Sequence, residues 1–414
     1  MAQESRGWPR REQFRARMVE QLGAEEAAKL DAALKSHVAA ERRSLRLNSL
    51  KNAFPADFER CGFEFLGAIA WESRGYWVSL PEVYESAPAL GAGLGYLQDA
   101  GSMEVVAVLD PQPGDLVLDL AAAPGGKSTQ ILERLGASGW LVANDPVRAR
   151  AERLNALVAR HGSQRVSVLS QDPDSLLTRF EGVFDKVLVD APSSGESFFA
   201  KRDDKRLDVP DAEVAGCARR QFLILDRAAR MCRAGGRLVY STATYSRAEN
   251  SDLVQSFLGA HPNYRLVREQ YRFPHIDEIP GGYWAEIENT DEGESGAAAQ
   301  IDSVSGLLRQ GLWRWDGEAD LYATSMSCSG EDAAPASHLA YPVPKVQVDG
   351  AVFPAGDLEL SDLDARKFLR GESLTIAHAK GLCRLMWCGH ALGYGKSTGE
   401  RVNNLLPKIL RALR

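Results

Sequence analysis

Along the middle of the chain, short runs of consecutive apolar residues alternate with stretches in which apolar residues recur every three or four positions. The consecutive runs predict five strands, at residues 116–121, 139–144, 166–170, 185–190 and 237–242. The three-and-four spacing predicts helices at about residues 127–136, 147–161 and 211–233. This alternation predicts an α/β fold whose parallel sheet has helices on both faces, and such sheets bind ligands at the carboxyl ends of their strands.

The two ends of the chain have different patterns. Apolar residues at helical spacing from about residue 11 to 40 predict one or two helices, and strands are predicted at 44–48 and 77–80 around a helical stretch at 55–61. The glycines of residues 91–95 predict a flexible hinge. Short apolar runs at 346–348 and 382–386, among many turn residues, predict a small β-rich domain.

These patterns divide the chain into four parts. Between the central and C-terminal regions the chain becomes rich in Gly, Ala, Ser and acidic residues, which is typical of a linker or surface loop. The predicted parts are an N-terminal α+β domain at 1–95, a central domain at 96–290, a linker at 291–311 and a C-terminal domain at 312–414.

Composition and charge narrow the class of protein. No run of about 18 apolar residues is present, so no membrane span is predicted. The six cysteines lack CxxC spacing, which argues against a metal site and a disulfide framework and favours a reducing, cytoplasmic location. The net charge is −7, yet residues 380–414 hold seven Lys and Arg against one Glu, which is either a polyanion-binding surface or a solvated face. A monomer is the default expectation.

The stretch from Leu116 to Thr129 predicts a binding turn. An apolar run ends at Asp119, small residues, Pro124 and paired glycines follow, and a helical pattern then begins. Small residues let a ligand lie against bare backbone, and the helix N-terminus offers free N–H groups. A nucleotide-like cofactor is one interpretation, and an ordinary strand-to-helix turn is the other.

Acidic residues stand at or near the ends of the first four predicted strands. An acid that ends the second strand, about 20 residues beyond a glycine turn, suits the hydroxyl groups of a ribose. Each acid taken singly is more often a helix cap or turn residue, but four at successive strand ends favour a binding site. The four are Asp119, Asp145, Asp172 and Asp190.

Three motifs in order resemble a known family. They are Asp119-Leu-Ala-Ala-Ala-Pro-Gly-Gly-Lys127, Asp190-Ala-Pro-Ser-Ser-Gly-Glu196 and Ser241-Thr-Ala-Thr-Tyr-Ser-Arg-Ala-Glu-Asn250. Together they resemble the Sun/RsmB/RsmF (NSUN-type) RNA cytosine-5 methyltransferases. Leu45-Arg-Leu-Asn48 resembles the N-terminal domain of that family, and Gly389-His-Ala-Leu-Gly-Tyr-Gly-Lys396 resembles the PUA-like RNA-binding domain of RsmF-type members.

The resemblance implies a Rossmann-like class I methyltransferase sheet between the two end domains, S-adenosyl-L-methionine as cofactor, ribosomal or transfer RNA as partner, and no metal. Asp145 would bind the ribose hydroxyls, Asp172 the adenine amine, and Asp190 would lie where cofactor and target base meet. The residues expected to wrap the methionine and ribose are Ala122, Ala123, Pro124, Gly125, Gly126 and Lys127, beside Asp119. The residues expected to hold RNA are Tyr394, Lys396, Arg401 and Lys408.

The sequence departs from the family at both cysteines. In the family, a thiolate adds to carbon 6 of cytosine because carbon 5 is barely nucleophilic, and a second cysteine assists release. Here Ala243 stands in the Thr-Cys-Thr position and Ser193 follows Asp190-Ala-Pro192. Alanine cannot add to a base, and a serine hydroxyl is too basic without an activating partner. The altered Ser197-Phe198-Phe199 nearby favours natural divergence over an engineered change.

Three functions remain open. The first is an RNA methyltransferase that modifies a nitrogen or oxygen atom without a cysteine, with Asp190 as base or positioning group. The second is an RNA-binding relative that transfers no methyl group, and the third is a small-molecule methyltransferase on the same scaffold. A displaced thiol, with Cys232 as the candidate, would permit cytosine carbon-5 methylation, but attack geometry tolerates little displacement.

Overall fold

The computed structural model describes residues 11–36, 43–163, 165–200, 208–292, 355–406 and 408–411. Three β-sheets, of four, seven and four strands, organise these residues. No helix in the described ranges is long and apolar enough to cross a membrane.

The central seven-stranded sheet carries the predicted motifs. Its strands are β5 (Leu116–Asp119), β6 (Trp140–Asn144), β7 (Val166–Leu169), β8 (Phe184–Asp190), β9 (Cys232–Thr242), β10 (Tyr264–Arg272) and β11 (Gly282–Asn289). They lie in the order β10-β11-β9-β8-β5-β6-β7. The five strands from β9 to β7 are parallel, while β11 is antiparallel to β9 and to β10. Strand order reverses between β5 and β8, so the sheet has its topological switch point there.

Helices cover both faces of this sheet, as the sequence predicts. One face packs against helices Ala100–Leu109, Gly126–Leu135 and Arg148–His161, which contribute buried Val, Leu and Ile side chains. The other face packs against helices Pro173–Phe180, Asp211–Met231 and Ser251–Ala260. A strand that is buried on both faces consists of consecutive apolar residues, so the parallel strands could be recognised in the sequence.

The N-terminal region combines a helical pair with a small antiparallel sheet. Helices Glu12–Leu22 and Ala24–Ser36 pack onto Phe199, Tyr245 and Phe273 of the central region. The sheet consists of β1 (Arg43–Leu47), β2 (Glu64–Ile69), β3 (Glu72–Ser79) and β4 (Gly95–Leu97), with short helices Pro55–Glu59 and Pro88–Gly91. Its strands lie in the order β2-β3-β1-β4.

The C-terminal region shares one hydrophobic core with the N-terminal sheet. Strands β12 (Asp357–Glu359), β13 (Gly381–Trp387), β14 (His390–Ser397) and β15 (Val402–Asn404) form the third sheet, with helix Asp362–Leu369. Phe368 and Trp387 lie in the same buried cluster as Phe58 and Phe63. Arg366 adds hydrogen bonds to the carbonyls of Val83, at 3.0 Å, and Cys61, at 3.3 Å.

Some predictions differ from the structure. The helix predicted to reach residue 233 ends at Met231, because the chain passes directly into β9 at Cys232. The flexible hinge at 91–95 is wrong: residues 91–94 are buried, and a Cβ on Gly93 would lie 2.3 Å from the Arg160 carbonyl oxygen. The predicted strand at 346–348 lies outside the described residues, as does all but the start of the predicted linker.

Strands β2, β10 and β11 do not appear among the predictions. In β10 most side chains are exposed or half-buried, so this edge strand lacks the apolar run that marks the parallel strands.

Candidate functional site

The turn after β5 is shaped to bring backbone close to a ligand. Ala122 is buried and donates its N–H to the Asn144 carbonyl at 2.7 Å, while Pro124 is exposed. Gly125 has φ of 115°, and a Cβ there would lie 2.8 Å from side-chain atoms of both Leu154 and Leu157. A glycine is therefore required just before helix Gly126–Leu135 begins.

Two acids at this edge of the sheet are buried and incompletely bonded. Asp119 accepts a hydrogen bond from the Ser128 hydroxyl at 2.6 Å through one oxygen, and its other oxygen, Oδ1, has no partner among the described residues. Asp145 accepts from the Val147 N–H at 3.0 Å through Oδ1, and its Oδ2 makes no hydrogen bond but lies 3.3 Å from the Arg150 guanidinium. Buried carboxylate oxygens without donors are costly, which points to a ligand that supplies donors.

Asp190 lies at the end of β8 and is held from two sides. The Lys127 ammonium donates to its Oδ2 at 2.8 Å, and the Ser241 hydroxyl donates to its Oδ1 at 2.8 Å. Lys127 comes from the turn and helix start that follow β5, residues 120–127, which we call the cofactor turn because the sequence predicts cofactor binding there. Ser241 comes from β9, so the carboxylate joins this turn to the loops after β8 and β9. The structure thus brings the predicted residues Asp190 and Lys127 together.

Asp172 has a different environment. Its carboxylate caps helix Pro173–Phe180, because it accepts from the Ser175 N–H at 2.9 Å and from the Ser175 hydroxyl at 2.6 Å. These two hydrogen bonds hold the pKa of Asp172 below its usual value. In the structure Asp172 is therefore a helix cap. Its contact with an adenine amine stays a prediction.

Arg150 is a site residue that sequence reasoning missed. Its Nη2 donates to the Ala123 carbonyl at 2.8 Å and lies 3.3 Å from Asp145 Oδ2. The guanidinium thus bridges the small-residue turn and the buried acid. Arg150 lies five residues after Asp145 on the exposed first turn of a helix, and nothing in a single sequence marks such a position as part of a binding site.

The fit of the site to S-adenosylmethionine can be judged from these contacts. Asp119 and Asp145 each have a buried carboxylate oxygen that makes no hydrogen bond, and the turn after β5 requires glycine at 125. Ribose hydroxyls and an amino group are donors that such oxygens accept. The residues present therefore fit this cofactor. Among the described residues, no group of three or more His, Cys, Asp or Glu side chains could hold a metal ion.

The positions of the two family cysteines lie in neighbouring loops. Ser193 and Ala243 are both half-buried, and the Ala243 carbonyl accepts the Ser197 N–H at 3.1 Å. No hydrogen bond joins the Ser193 hydroxyl to a residue that the structure describes, so no described base activates it. Neither position supplies a nucleophile.

Two other cysteines of the central region, Cys217 and Cys232, do not replace them. Cys232 begins β9, whereas the site lies at the other end of that strand. Cys232 pairs with Phe184 and Ser241 with Asp190, six residues further along β8, which corresponds to roughly 20 Å. The prediction that Cys232 could approach the site is therefore wrong, and burial raises the pKa of its thiol to about 12. Cys217 is buried in helix Asp211–Met231, and burial raises its pKa too. Thiols with raised pKa are poor nucleophiles.

The residues predicted to hold RNA lie in the C-terminal sheet. Tyr394 and Lys396 occupy alternate positions of β14 and so share one face, with Tyr394 half-buried and Lys396 exposed. Arg401 is exposed directly before β15, which pairs with β14, and Lys408 is exposed in a short helical turn beyond it. Their contact with RNA stays a prediction.

The affinity for S-adenosylmethionine is expected to rise with pH around neutrality. Burial raises the pKa of Asp119 to about 7, with smaller contributions that include the charge of Asp190. A cofactor that carries positive charge favours the ionised carboxylate, so its dissociation constant should fall as pH rises through that pKa and then level off. Calorimetric titration across this pH range measures the effect, and Asp119→Asn should give a flat profile. A flat profile for the unsubstituted protein would contradict the prediction.

Comparison with known proteins agrees with this geometry. A family model described as 16S rRNA methyltransferase RsmB/F matches residues 106–290, and a model of the methyltransferase RsmF PUA domain matches residues 355–412. Ribosomal RNA small subunit methyltransferase F from Klebsiella pneumoniae is 28% identical over 89% of this chain and 90% of its own length. The Aeromonas hydrophila protein of the same name is 28% identical over 89% and 91%.

A crystal structure of a methyltransferase homolog protein from Pyrococcus horikoshii is 25% identical, covers 66% of this chain and 93% of its own, and has a TM-score of 0.58. The predicted class I methyltransferase fold and the predicted cofactor, S-adenosyl-L-methionine, are confirmed by these matches. The two family models together match more than half of the residues. The chain belongs to the RsmB/RsmF family of S-adenosylmethionine-dependent rRNA methyltransferases, with the PUA domain of its RsmF members.

Proposed function

We propose that this protein transfers a methyl group from S-adenosylmethionine to a nitrogen or oxygen atom of RNA, without a cysteine nucleophile. The observation that carries the proposal is Asp190, a carboxylate held by Lys127 and Ser241 between the cofactor turn and the loops of Ser193 and Ala243. An exocyclic amine or a hydroxyl is itself nucleophilic, so its methylation needs positioning and removal of a proton rather than a covalent adduct.

Each residue would have a defined task. Asp119, Asp145 and the turn from Ala122 to Lys127 would hold the cofactor, which supplies an electrophilic methyl group when bound. Asp190 would accept a hydrogen bond from the target amine or hydroxyl and take up its proton. Lys127 and Ser241 would hold that carboxylate in one orientation, because they donate to its two oxygens.

Ribosomal RNA is the substrate that the relatives favour, since those named above are ribosomal RNA small subunit methyltransferases. The C-terminal PUA domain supports an RNA partner, with Tyr394, Lys396, Arg401 and Lys408 as its proposed contacts. A cytoplasmic location accompanies this proposal. A target base would have to leave its stack to enter the site, at a cost of a few kcal/mol.

A second candidate is an RNA-binding relative that transfers no methyl group. The loss of both thiols favours it, because such a protein needs no nucleophile. Such a relative could keep the cofactor, so Asp119 and Asp145, with their buried oxygens that make no hydrogen bond, support cofactor binding rather than methyl transfer itself.

Nucleoside mass spectrometry tests the proposal. Unmodified ribosomal and transfer RNA are incubated with the protein and isotopically labelled S-adenosylmethionine, then digested and analysed. We expect a labelled N- or O-methyl nucleoside, and Asp190→Asn should lower its yield by about 10²–10⁴-fold if the carboxylate takes the proton. Labelled 5-methylcytosine would overturn the cysteine-independent proposal. Absence of label, with RNA binding retained, would favour the silent relative.

A further inference from the structure

Two glutamates are completely buried behind the loops of Ser193 and Ala243. Glu196 follows β8 and Glu249 follows β9, and each has no exposed surface. Ser194 and Thr244, the neighbours of the two former cysteine positions, lie between them. The number of protons that two such closely spaced carboxyl groups hold can be counted from the hydrogen bonds between them.

The hydrogen bonds between them form a chain of four oxygen atoms. Glu249 Oε1 contacts Ser194 Oγ, Ser194 Oγ lies 3.0 Å from Thr244 Oγ1, and Thr244 Oγ1 lies 2.9 Å from Glu196 Oε2. Each of the three contacts needs one proton between its two oxygens. The two hydroxyl groups supply two protons, because each hydroxyl carries one. The third proton must therefore reside on one of the two carboxyl groups.

The partners of the other oxygens decide which carboxyl group holds it. Glu196 is paired with a cation, since Arg17 Nη2 lies 2.7 Å from its Oε1. Glu249 Oε2 accepts from the Ser194 N–H at 2.9 Å and from Gln221 Nε2 at 2.8 Å, and both donors are neutral. A buried carboxyl group without a cation favours its neutral form. The proton therefore lies on Glu249 Oε1.

We propose that Glu249 is a protonated carboxylic acid in the folded protein and a positioning residue for the site. Its O–H would donate to Ser194, Ser194 to Thr244, and Thr244 to ionised Glu196, so that one continuous chain ties the two loops together. Gln221 extends the arrangement, since its Nε2 also donates to the Pro192 carbonyl at 3.0 Å. The positioning role rests on the function proposed above, whereas the protonation does not.

The other titratable groups around Glu249 agree with this assignment. Burial raises the pKa of Glu249 and the negative charge of Glu196 adds to this, so that the pKa lies above its usual value although Ser194 and Gln221 donate to the carboxyl group. Tyr240 donates its hydroxyl to the Glu249 backbone carbonyl at 2.7 Å, and burial raises the pKa values of both Tyr240 and the nearby Cys217 thiol. Arg17, paired with Glu196 and Asp211, is the cation on the Glu196 side.

Loss of the Glu249 proton would place two carboxylates in one buried chain with a single cation. The contact between Glu249 and Ser194 would then compete with that between Ser194 and Thr244, because one proton would be missing, and the loops would separate. The protein should lose stability as pH rises through the pKa of Glu249, because the folded state holds that proton more tightly than the unfolded state does. Methyl transfer should decline over the same pH range.

The variant Glu249→Gln distinguishes the effects of losing the Glu249 proton from those of a simple loss of packing. The amide has the same shape, its NH₂ can donate to Ser194, and its carbonyl can accept from Ser194 and Gln221, yet it cannot ionise. The infrared difference spectrum between the unsubstituted protein and Glu249→Gln should contain the carbonyl band of a protonated carboxylic acid at neutral pH. Glu181→Gln, at an exposed ion pair with Arg230, should show carboxylate bands alone.

Two further measurements complete the test. The thermal unfolding midpoint of Glu249→Gln should exceed that of the unsubstituted protein by about 3 °C at alkaline pH, with a smaller gap at acidic pH. The alkaline decline of methyl transfer should disappear in Glu249→Gln. A missing carboxylic acid band, or a stability gap that does not change with pH, would overturn the protonation. If no methyl transfer occurs at any pH, the proposed function fails while the infrared and stability results still decide the state of Glu249.

Discussion

Replacing Ala243 by cysteine is expected to give the protein a covalent RNA adduct, and adding Ser193→Cys is expected to give it 5-methylcytosine. Both positions are half-buried at the loops beside Asp190, so a thiol at either one has room and access. By the family resemblance, a thiol at 243 adds to the base and a thiol at 193 assists release. The single variant Ala243→Cys should therefore accumulate adduct, and the double variant should turn over.

The measurement combines denaturing electrophoresis with nucleoside mass spectrometry, using RNA and labelled cofactor. The unsubstituted protein is the matched control, because it keeps the exposed Cys388 and so reports any unspecific thiol reaction. Ser193→Cys alone should form neither product, since position 243 then has no nucleophile. If the double variant binds cofactor and RNA but forms neither adduct nor 5-methylcytosine, then the site no longer accepts cytosine, and its divergence goes beyond the two thiols.

Asp145→Ala is expected to weaken S-adenosylmethionine binding by about 100-fold. The buried carboxylate has one oxygen that makes no hydrogen bond and lies 3.3 Å from Arg150. A hydrogen bond to a charged group contributes about 1.5–3 kcal/mol, so the loss of two ribose hydrogen bonds costs about 3 kcal/mol. Calorimetric titration measures the affinity directly. Asp145→Asn keeps one acceptor oxygen and should have an intermediate affinity.

The control for this prediction is Asp174→Ala, which removes an acid that is exposed in helix Pro173–Phe180 and paired with Arg227. It should bind the cofactor as the unsubstituted protein does. Thermal unfolding in the absence of cofactor shows whether Asp145→Ala remains folded. An affinity within about threefold of the unsubstituted value would show that the ribose does not contact Asp145.

The fold was predictable from the sequence where both faces of a strand are buried. The parallel strands β5, β6 and β8 are covered on both faces, so their sequences are continuous apolar runs that stand out between helical patterns. Strand β10 is an edge strand with mostly exposed side chains, and its antiparallel pairing depends on β11, which a single sequence does not reveal. The end of helix Asp211–Met231 was misplaced because β9 begins without an intervening loop.

The sequence predicted which residues form the candidate site, but not which side chains they contact. Acids at strand ends converge because parallel strands share one edge, and this rule alone places Asp119, Asp145 and Asp190 together. The bond between Lys127 and Asp190, and the approach of Arg150 to Asp145, depend on side-chain directions that follow from packing. Cys232 was wrongly expected near the site because the sequence did not show that β9 begins at this residue, at the end of the strand opposite the site.

The hydrophobic core that the two ends of the chain share has a consequence for synthesis on the ribosome. Phe58 and Phe63 are translated early, but the partners that bury them, Phe368 and Trp387, emerge about 300 residues later, at roughly 5–20 residues per second. The central sheet can therefore fold while the N-terminal sheet still exposes apolar surface. We expect nascent chains that stop near residue 290 to recruit chaperones, and the last few dozen residues to release them.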